Sequence, residues 1–243
     1  MKFLPLGYEL ELLKLYTFLT CGYLIYGHHS PGQIVKILIF YGISLAAVNI
    51  AYLIVIKLYG QSMIERFKRA TGFKEKISVF PVPSPEFIAA AGITEKGKKL
   101  IVLSTGTVKK VSREELDFIV AHEFAHHYKK HLANIRLIRG VRTVFVLLSI
   151  FTFSSFTPAG LLAGVLSGLV GSLFHWHIKR KELEADLTAI ELLRKANLSC
   201  RGGEKFFRRI LKEGIYGELI DEHPRTEKRL NEVKRKCSES RTY

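Results

Sequence analysis

The stretch AHEFAHHYKKH, residues 121–131, contains the pattern His-Glu-x-x-His at positions 122–126. An α-helix has about 3.6 residues per turn, so side chains four positions apart lie on the same face. His122 and His126 can therefore both reach one metal ion. Glu123 stands beside the first histidine, where a carboxylate can take a proton from a water molecule at the metal. The pattern predicts a zinc site that performs hydrolysis; the alternative is an ordinary helix face with two hydrogen-bonded histidines.

The residues before this pattern predict that it lies on a buried helix. Ser112 and Glu115 have the spacing of a capping box, in which each residue satisfies a free backbone N–H at the start of the helix. The run 116–121 is mostly apolar and contains no helix breaker. We therefore expect a helix that turns His122 and His126 towards the interior.

Two further histidines of the stretch are not expected to share the metal-binding face. In a continuous helix, His127 lies about 100° around the axis from His126, and His131 lies about 180° from His122. A zinc motif with all three histidines in one stretch would need the third at position 132, which is Leu132. The third protein ligand must come from another segment.

A later acidic segment, residues 181–186, can supply that ligand. Glu182 and Asp186 are spaced i, i+4 and can both face the site, one as a ligand and the other as acceptor of a proton from a ligand histidine. The spacing leaves open which residue does which, and Glu184 is expected to point elsewhere. The alternative is a charged, solvated helix face.

Apolar residues are concentrated in a few segments of the chain. The sequence is 48% hydrophobic although 24% of its residues are charged. Residues 12–26, residues 34–59, and a run at 143–178 that is interrupted at 157–160 predict about four transmembrane helices. The first segment is short for a span and has a buried amphipathic helix as its alternative. The two helices of the last run, about 16 residues each, are also slightly short.

The distribution of charge predicts which side of the membrane holds the site. The net charge is +15, and the basic residues are dispersed among acids and next to apolar segments, which favours a lipid bilayer as partner and argues against nucleic acid. Lysine and arginine follow the second apolar segment, whereas the turn at 28–33 has neither. By the positive-inside rule, the site is expected on the cytoplasmic side of a multi-pass protein of the cell membrane.

The three cysteines indicate in which compartment the protein lies. Cys21, Cys200 and Cys237 form no CxxC pair and suggest no disulfide framework, which favours a reducing compartment.

Residues 77–80 and 100–103 predict strands, with a hairpin turn at 95–98. A sheet beside a zinc cleft can hold an extended peptide as an added strand, or it can simply cover the helix.

The order of these features resembles the M48 family of integral membrane zinc metallopeptidases, and most closely its four-span HtpX-like proteases. The resemblance covers residues 77–230 and rests on HEFAH, ELEAD and HPRTEKR in that order. It implies one Zn²⁺ per chain with Glu182 as third ligand, Asp186 and Arg229 supporting the site, and His223 stabilising the oxyanion. Residues 88–92 depart from the family pattern because they lack its asparagine and its aromatic residue. The resemblance therefore extends to the zinc chemistry but does not predict the substrate preference.

Together these observations predict a mainly α membrane protein with a cytoplasmic zincin-type catalytic domain that contains a small β-sheet. We expect a two-span hairpin at 1–60, catalytic parts at 61–136 and 179–243, and a second membrane hairpin at 137–178. The expected function is that of a zinc-dependent endopeptidase acting on membrane proteins or on proteins at the cytoplasmic face, with protein quality control implied by the resemblance. The alternatives are a membrane signalling protease of the sensor type and a non-enzymatic, zinc-stabilised membrane adaptor.

Overall fold

The structure is a computed structural model that describes residues 31–154, 157–213 and 225–239, together with residues 14, 15, 17–19 and 22. Most of the first predicted apolar segment lies outside the described residues. Within them the chain is mainly helical, with one three-stranded sheet. This agrees with the predicted class of a mostly α protein that contains a small sheet.

Helix α1, Pro31–Thr71, contains the second predicted apolar segment. Its N-terminal half exposes large apolar side chains, including Leu38, Phe40 and Ile43. Its C-terminal half instead buries Ile64 and Phe67 completely in the core. One uninterrupted helix therefore joins an exposed apolar surface to the packed interior.

The sheet consists of β1 (Ile77–Val82), β2 (Ala89–Ile93) and β3 (Lys99–Ser104), in the order β1-β3-β2. β3 pairs parallel with β1 and antiparallel with β2. The predicted strands fall within β1 and β3, and the predicted turn joins β2 to β3. Gly97 has a φ of +74° in that turn, a conformation that glycine adopts without steric cost. The bounds of β2 were not predicted, although the hairpin turn at 95–98 implies a strand before it, because a run of alanine and glycine shows no alternation of apolar and polar side chains.

A short helix, α2 (Thr105–Lys110), leads into α3 (Arg113–Tyr128). The predicted capping box is present at the start of α3, where the Ser112 N–H donates to Glu115 Oε2 over 2.7 Å. Every residue from Glu115 to His127 is buried. α3 is thus the central helix of the protein, and the polar side chains of this buried run face other parts of the chain rather than solvent.

Helices α4 (His131–Phe153) and α5 (Pro158–Lys195) form an antiparallel pair. The break predicted at 157–160 is real: the Thr157 side chain caps α5 by accepting a hydrogen bond from the Gly160 N–H over 3.0 Å. Both helices continue beyond the apolar run into the compact part of the protein. The expected boundaries at 136 and 178 therefore fall inside continuous helices.

The described residues contain two helices that are long and apolar enough to cross a membrane, α1 and α5. The apolar part of α4, Thr143–Phe153, is shorter than a full span. Because length and composition alone support two spans, the predicted number of four remains a proposal.

Helices α6 (Arg201–Glu213) and α7 (Thr226–Ser238) pack against each other, and α6 also packs on α3. Cys200, directly before α6, forms a disulfide with Cys237 near the end of α7, with their Cα atoms 5.8 Å apart. The expectation of no disulfide is therefore wrong. These cysteines are 37 residues apart, and only the packing of α6 against α7 brings them together.

Candidate metal centre

Helix α3 presents His122 and His126 from successive turns of the same face. Their Nε2 atoms lie 3.1 Å apart, and their ring centroids lie 4.8 Å apart. The two residues are only 8% and 5% exposed. As the spacing predicts, two buried imidazoles point at the same small volume.

Helix α5 brings Glu182 to the same place. Its Oε2 lies 3.5 Å from His122 Nε2, and its Oε1 lies 3.6 Å from His126 Nε2. One ligand atom from each of the three residues lies within 4.8 Å of the others. In a tetrahedral zinc site with bonds of roughly 2.0–2.1 Å, ligand atoms lie about 3.3 Å apart. The spacing of these three side chains fits a zinc ion.

Asp186 and Arg229 form a buried pair directly behind His122. Asp186 is fully buried, and its Oδ1 lies 2.9 Å from His122 Nδ1. Arg229, on α7, donates to both carboxylate oxygens of Asp186, over 2.7 and 2.8 Å. A carboxylate at Nδ1 holds the ring so that Nε2 faces the other two side chains. The structure therefore separates the two candidate acids of the 181–186 segment, with Glu182 among the rings and Asp186 behind one of them.

The charges around the histidines make this site favourable for a cation. Burial by itself lowers the pKa of His122, but hydrogen bonding to Asp186 and Glu182 and the nearby negative charges raise it to about 10. Burial, followed by the positive charge of His122, lowers the pKa of His126 to about 3. At neutral pH His122 is thus protonated and positively charged, whereas His126 is neutral. A divalent metal ion would replace that proton and would satisfy the same carboxylates.

Of the two remaining predicted catalytic residues, one lies within the described part of the chain. Glu123 is 8% exposed and directly follows His122 on α3, within the buried part of that helix. His223 lies outside the described residues. Its predicted role at the oxyanion remains a prediction from the sequence.

His127 and His131 were both predicted to point away from the metal-binding face, but only His127 does so. His127 points away from the site, and its Nε2 lies 2.9 Å from the Leu100 carbonyl oxygen of β3, to which it can donate. His131 does not point about 180° away, as a continuous helix would require. α3 ends at Tyr128, and Lys130 takes a left-handed conformation with a φ of 56°, which returns His131 to the side of His126. No glycine or asparagine marks this break in the sequence, so the helical angles give no warning of it.

Comparison with known proteins gives one family. The sequence profile of Peptidase family M48 matches residues 56–236 of the 243-residue chain. This region contains all of the side chains described for the metal centre.

Several curated relatives are named Protease HtpX. The protein from Idiomarina loihiensis is 23% identical over 139 residues, which is 51% of this chain and 48% of the relative. The protein from Pseudomonas aeruginosa is 24% identical over 147 residues, or 53% and 50% of the two chains. The protein from Yersinia pestis is 33% identical over 85 residues, or 35% and 27%. The matches to the first two relatives cover about half of their length.

A solved structure is also similar. The crystal structure of Ste24p from S. mikatae gives a TM-score of 0.43 at 20% sequence identity. The match covers 93% of this chain and 66% of that one.

Proposed function

Because the chain belongs to peptidase family M48, as the resemblance predicted, we propose that it is a membrane-bound zinc-dependent endopeptidase. The proposed substrates are membrane proteins or proteins at the cytoplasmic face of the membrane, in protein quality control. The observation that carries the proposal is the convergence of His122, His126 and Glu182 around one zinc-sized position. These residues come from two helices that are far apart in the sequence, so local helix geometry does not account for their meeting.

The reaction follows from the groups at this position. A zinc ion bound by His122, His126 and Glu182 would act as a Lewis acid towards a water molecule and towards the scissile carbonyl. Glu123 accepts the proton that the water loses as it attacks, and then delivers that proton to the leaving amine. His223 is proposed to stabilise the negative charge on the carbonyl oxygen during the attack. Asp186, held by Arg229, keeps His122 in the orientation that ligation needs.

The strand β2 is the proposed binding element for the substrate backbone. It is a terminal strand of the sheet, and it packs against the metal-binding helix α3. An extended peptide that added to this edge would bind through its backbone and would pass beside the site. Such binding depends little on side chains and suits an enzyme that accepts many sequences.

The site is proposed to lie close to the cytoplasmic surface of the bilayer. Glu182 follows the end of the apolar run at Ile178 by four residues of α5, which is about 6 Å along a helix. Lys179, Arg180 and Lys181 stand between them, as the positive-inside rule requires at a cytoplasmic boundary. We therefore retain four spans, with membrane hairpins at 1–60 and 137–178 and the catalytic parts at 61–136 and 179–243 in the cytoplasm.

The test of this function is the variant Glu123→Gln, purified in detergent and incubated with casein. The amide cannot accept the proton, so cleavage is expected to fall at least about 100-fold while zinc content stays near one ion per chain. Glu114→Gln is the matched control, because Glu114 lies on the same helix but is only partly buried and pairs with Lys205 at the surface.

Two results would contradict the proposal. Cleavage of casein by Glu123→Gln at the rate of the parent protein would remove the assigned general base. Absence of zinc from the purified parent, in a metal analysis that detects it in a known zinc protein, would remove the metal site. Zinc without cleavage would favour the zinc-stabilised adaptor instead.

A further inference from the structure

We propose that His131, together with Glu184, positions His126 for metal binding, as Asp186 and Arg229 position His122. His131 is then a positioning residue and not a metal ligand. This inference rests on the proposed function, because it concerns the same metal site. From their spacing in the sequence alone, both His131 and Glu184 were expected to point away from the site.

The contact between the two rings is direct. His131 is the first residue of α4 and is only 1% exposed. Its Nδ1 lies 3.4 Å from His126 Nδ1, and the two rings meet edge to face with their centroids 5.3 Å apart. The Nε2 of His126, on the opposite side of that ring, faces His122 and Glu182. His131 therefore contacts the nitrogen of His126 that is not available to the metal.

The protonation states of the two rings follow from this arrangement. A neutral imidazole that binds metal through Nε2 carries its proton on Nδ1. His126 Nδ1–H can then donate to His131 Nδ1, which must be unprotonated to accept. The proton of a neutral His131 consequently lies on Nε2, on the far side of its ring. One chain of hydrogen bonds thus specifies both tautomers.

Glu184 lies beside that nitrogen. Its Oε2 is 3.4 Å from His131 Nε2, and the same oxygen accepts a hydrogen bond from Lys181 Nζ over 2.8 Å. Lys129 Nζ lies 4.0 Å from the other oxygen of the carboxylate. These two cations hold Glu184 in place at the edge of the site. The path from solvent to metal ligand is then Glu184, His131 and His126.

The segment Glu182-Leu183-Glu184-Ala185-Asp186 serves both histidines. Glu182 enters the ligand cluster, Asp186 lies behind His122, and Glu184 lies behind His131 and, through it, His126. Residues two apart on a helix diverge, which lets Glu184 reach α4 while Glu182 faces α3. Supporting residues of this kind typically change metal affinity by about 10–100-fold when they are removed.

The experiment measures zinc affinity of the full-length protein in detergent by competition with a chelator. We expect His131→Ala to weaken zinc binding by about 10–100-fold. His131→Asn is expected to recover part of the loss, because its side-chain oxygen can accept the proton of His126 from nearly the position of Nδ1. Glu184→Ala should weaken binding by less than His131→Ala, since it leaves the contact with His126 in place.

The matched control is His127→Ala. His127 is also 1% exposed and hydrogen-bonded, but its partner is the Leu100 carbonyl and not a ligand. Its removal is expected to lower the melting temperature and to leave zinc affinity near the parent value. A second readout uses cobalt(II) in place of zinc: the visible absorption bands should shift in His131→Ala and not in His127→Ala, because only the former changes the field of a ligand.

The inference is wrong if His131→Ala and Glu184→Ala bind zinc as the parent does, or if His127→Ala loses as much affinity as His131→Ala. Should His131→Ala fail to fold, His131→Asn and Glu184→Ala decide the question by the same measurements. A parent protein that binds no zinc would refute the proposed function itself. Parent-like affinity in the variants would refute only the role of His131.

Discussion

Arg229 is the residue that makes a charged Asp186 tolerable in the interior. The carboxylate is fully buried, and its partners are the guanidinium and the ring of His122. The guanidinium also stacks on Phe207, with its carbon 4.7 Å from the ring centroid. A buried charge that loses its partner is strongly destabilising, so this pair links the stability of the fold to the geometry of the site.

We expect Arg229→Met to lower the free energy of unfolding by about 3–5 kcal/mol, because it leaves Asp186 as an uncompensated buried charge. Zinc affinity should fall as well, since His122 loses a fixed acceptor. Thermal unfolding and chelator competition measure the two effects. Lys228→Met, at the exposed neighbouring position, is the control and should change stability by less than about 0.5 kcal/mol. Equal stability of the two variants would show that Arg229 does not compensate Asp186.

Zinc binding is expected to strengthen as pH rises. The pKa of His122 in the metal-free site is raised to about 10, so at neutral pH this ring holds a proton that zinc must displace. Displacement of one proton makes the apparent affinity increase about tenfold per pH unit between pH 6.5 and 8.5. The measurement is chelator competition at several pH values, corrected for protonation of the chelator. An affinity that stays constant over this range would contradict the assigned charge state.

At the scale of secondary structure, α3 is held at its start by α6. Arg209 donates to both oxygens of Glu115, over 2.7 and 3.0 Å, and Glu115 also completes the capping box with Ser112. Burial by itself raises the pKa of Glu115, but these hydrogen bonds outweigh it and hold the pKa below the ordinary value of 4.5. A single side chain thus begins the metal-binding helix and attaches it to a second helix.

Glu115→Gln is expected to destabilise the protein by about 1–3 kcal/mol at pH 7, because it removes a charged acceptor of three hydrogen bonds. Since the folded-state pKa is lowered, this contribution is fully present above about pH 4.5 and is lost as pH falls through the folded-state value. The variant and the parent should therefore differ in melting temperature at pH 7 and converge in acid. Glu114→Gln, at the exposed neighbouring pair, should cost less than about 1 kcal/mol. A difference from the parent that grows in acid would reverse the sign of this argument.

The contact between α6 and α3 also depends on a glycine. A Cβ atom at Gly202 would lie 1.8 Å from the Glu114 carbonyl oxygen, which is a backbone atom that cannot move aside. We expect Gly202→Ala to cost at least about 2 kcal/mol by forcing the helices apart. Gly140→Ala is the control, because a Cβ there meets nothing within 4 Å and alanine favours helix. Thermal unfolding of both variants tests the contact, and equal melting temperatures would contradict it.

At the scale of the whole molecule, most of the large exposed apolar side chains that the structure describes lie on the helices that lead away from the site. Leu38 and Phe40 on α1, Phe151 on α4, and Leu162 and Leu173 on α5 are all exposed. The compact end of the protein, in contrast, buries its apolar residues around α3. This division suits a chain with one end in lipid and the other in water.

The disulfide bears on the side of the membrane. Cys200–Cys237 lies between α6 and α7, in the part proposed to be cytoplasmic. Disulfides are uncommon in that compartment, so cysteine usage no longer favours the cytoplasmic side. The orientation now rests on the positions of lysine and arginine alone.

That orientation predicts the result of protease protection. Trypsin added to inverted membrane vesicles should remove an epitope tag from the C-terminus, whereas trypsin added to intact spheroplasts should leave it in place. A periplasmic marker and a cytoplasmic marker establish that each preparation is sealed. Loss of the tag from intact spheroplasts would place α6, α7 and the metal site on the outer side.

Several features of the protein are determined locally, and the sequence predicts them. The i, i+4 spacing puts His122 and His126 on one face, Ser112 and Glu115 start the helix, and residues 95–98 form a turn. Each depends on backbone geometry over a few residues, so no tertiary information is needed. The apolar segments at 34–59 and 143–178 are similarly evident, because composition alone identifies long apolar helices. The ordered motifs also identified the family.

The remaining features were decided by tertiary structure. Spacing left Glu182 and Asp186 interchangeable, and only the approach of α5 to α3 puts one among the rings and the other behind them. His131 reaches His126 because the chain reverses at Lys130, and Cys200 meets Cys237 because α6 packs on α7. The physical reason is common to all of these. Periodicity fixes the direction of a side chain relative to its own helix, whereas contacts between distant segments depend on how whole helices pack and where they break.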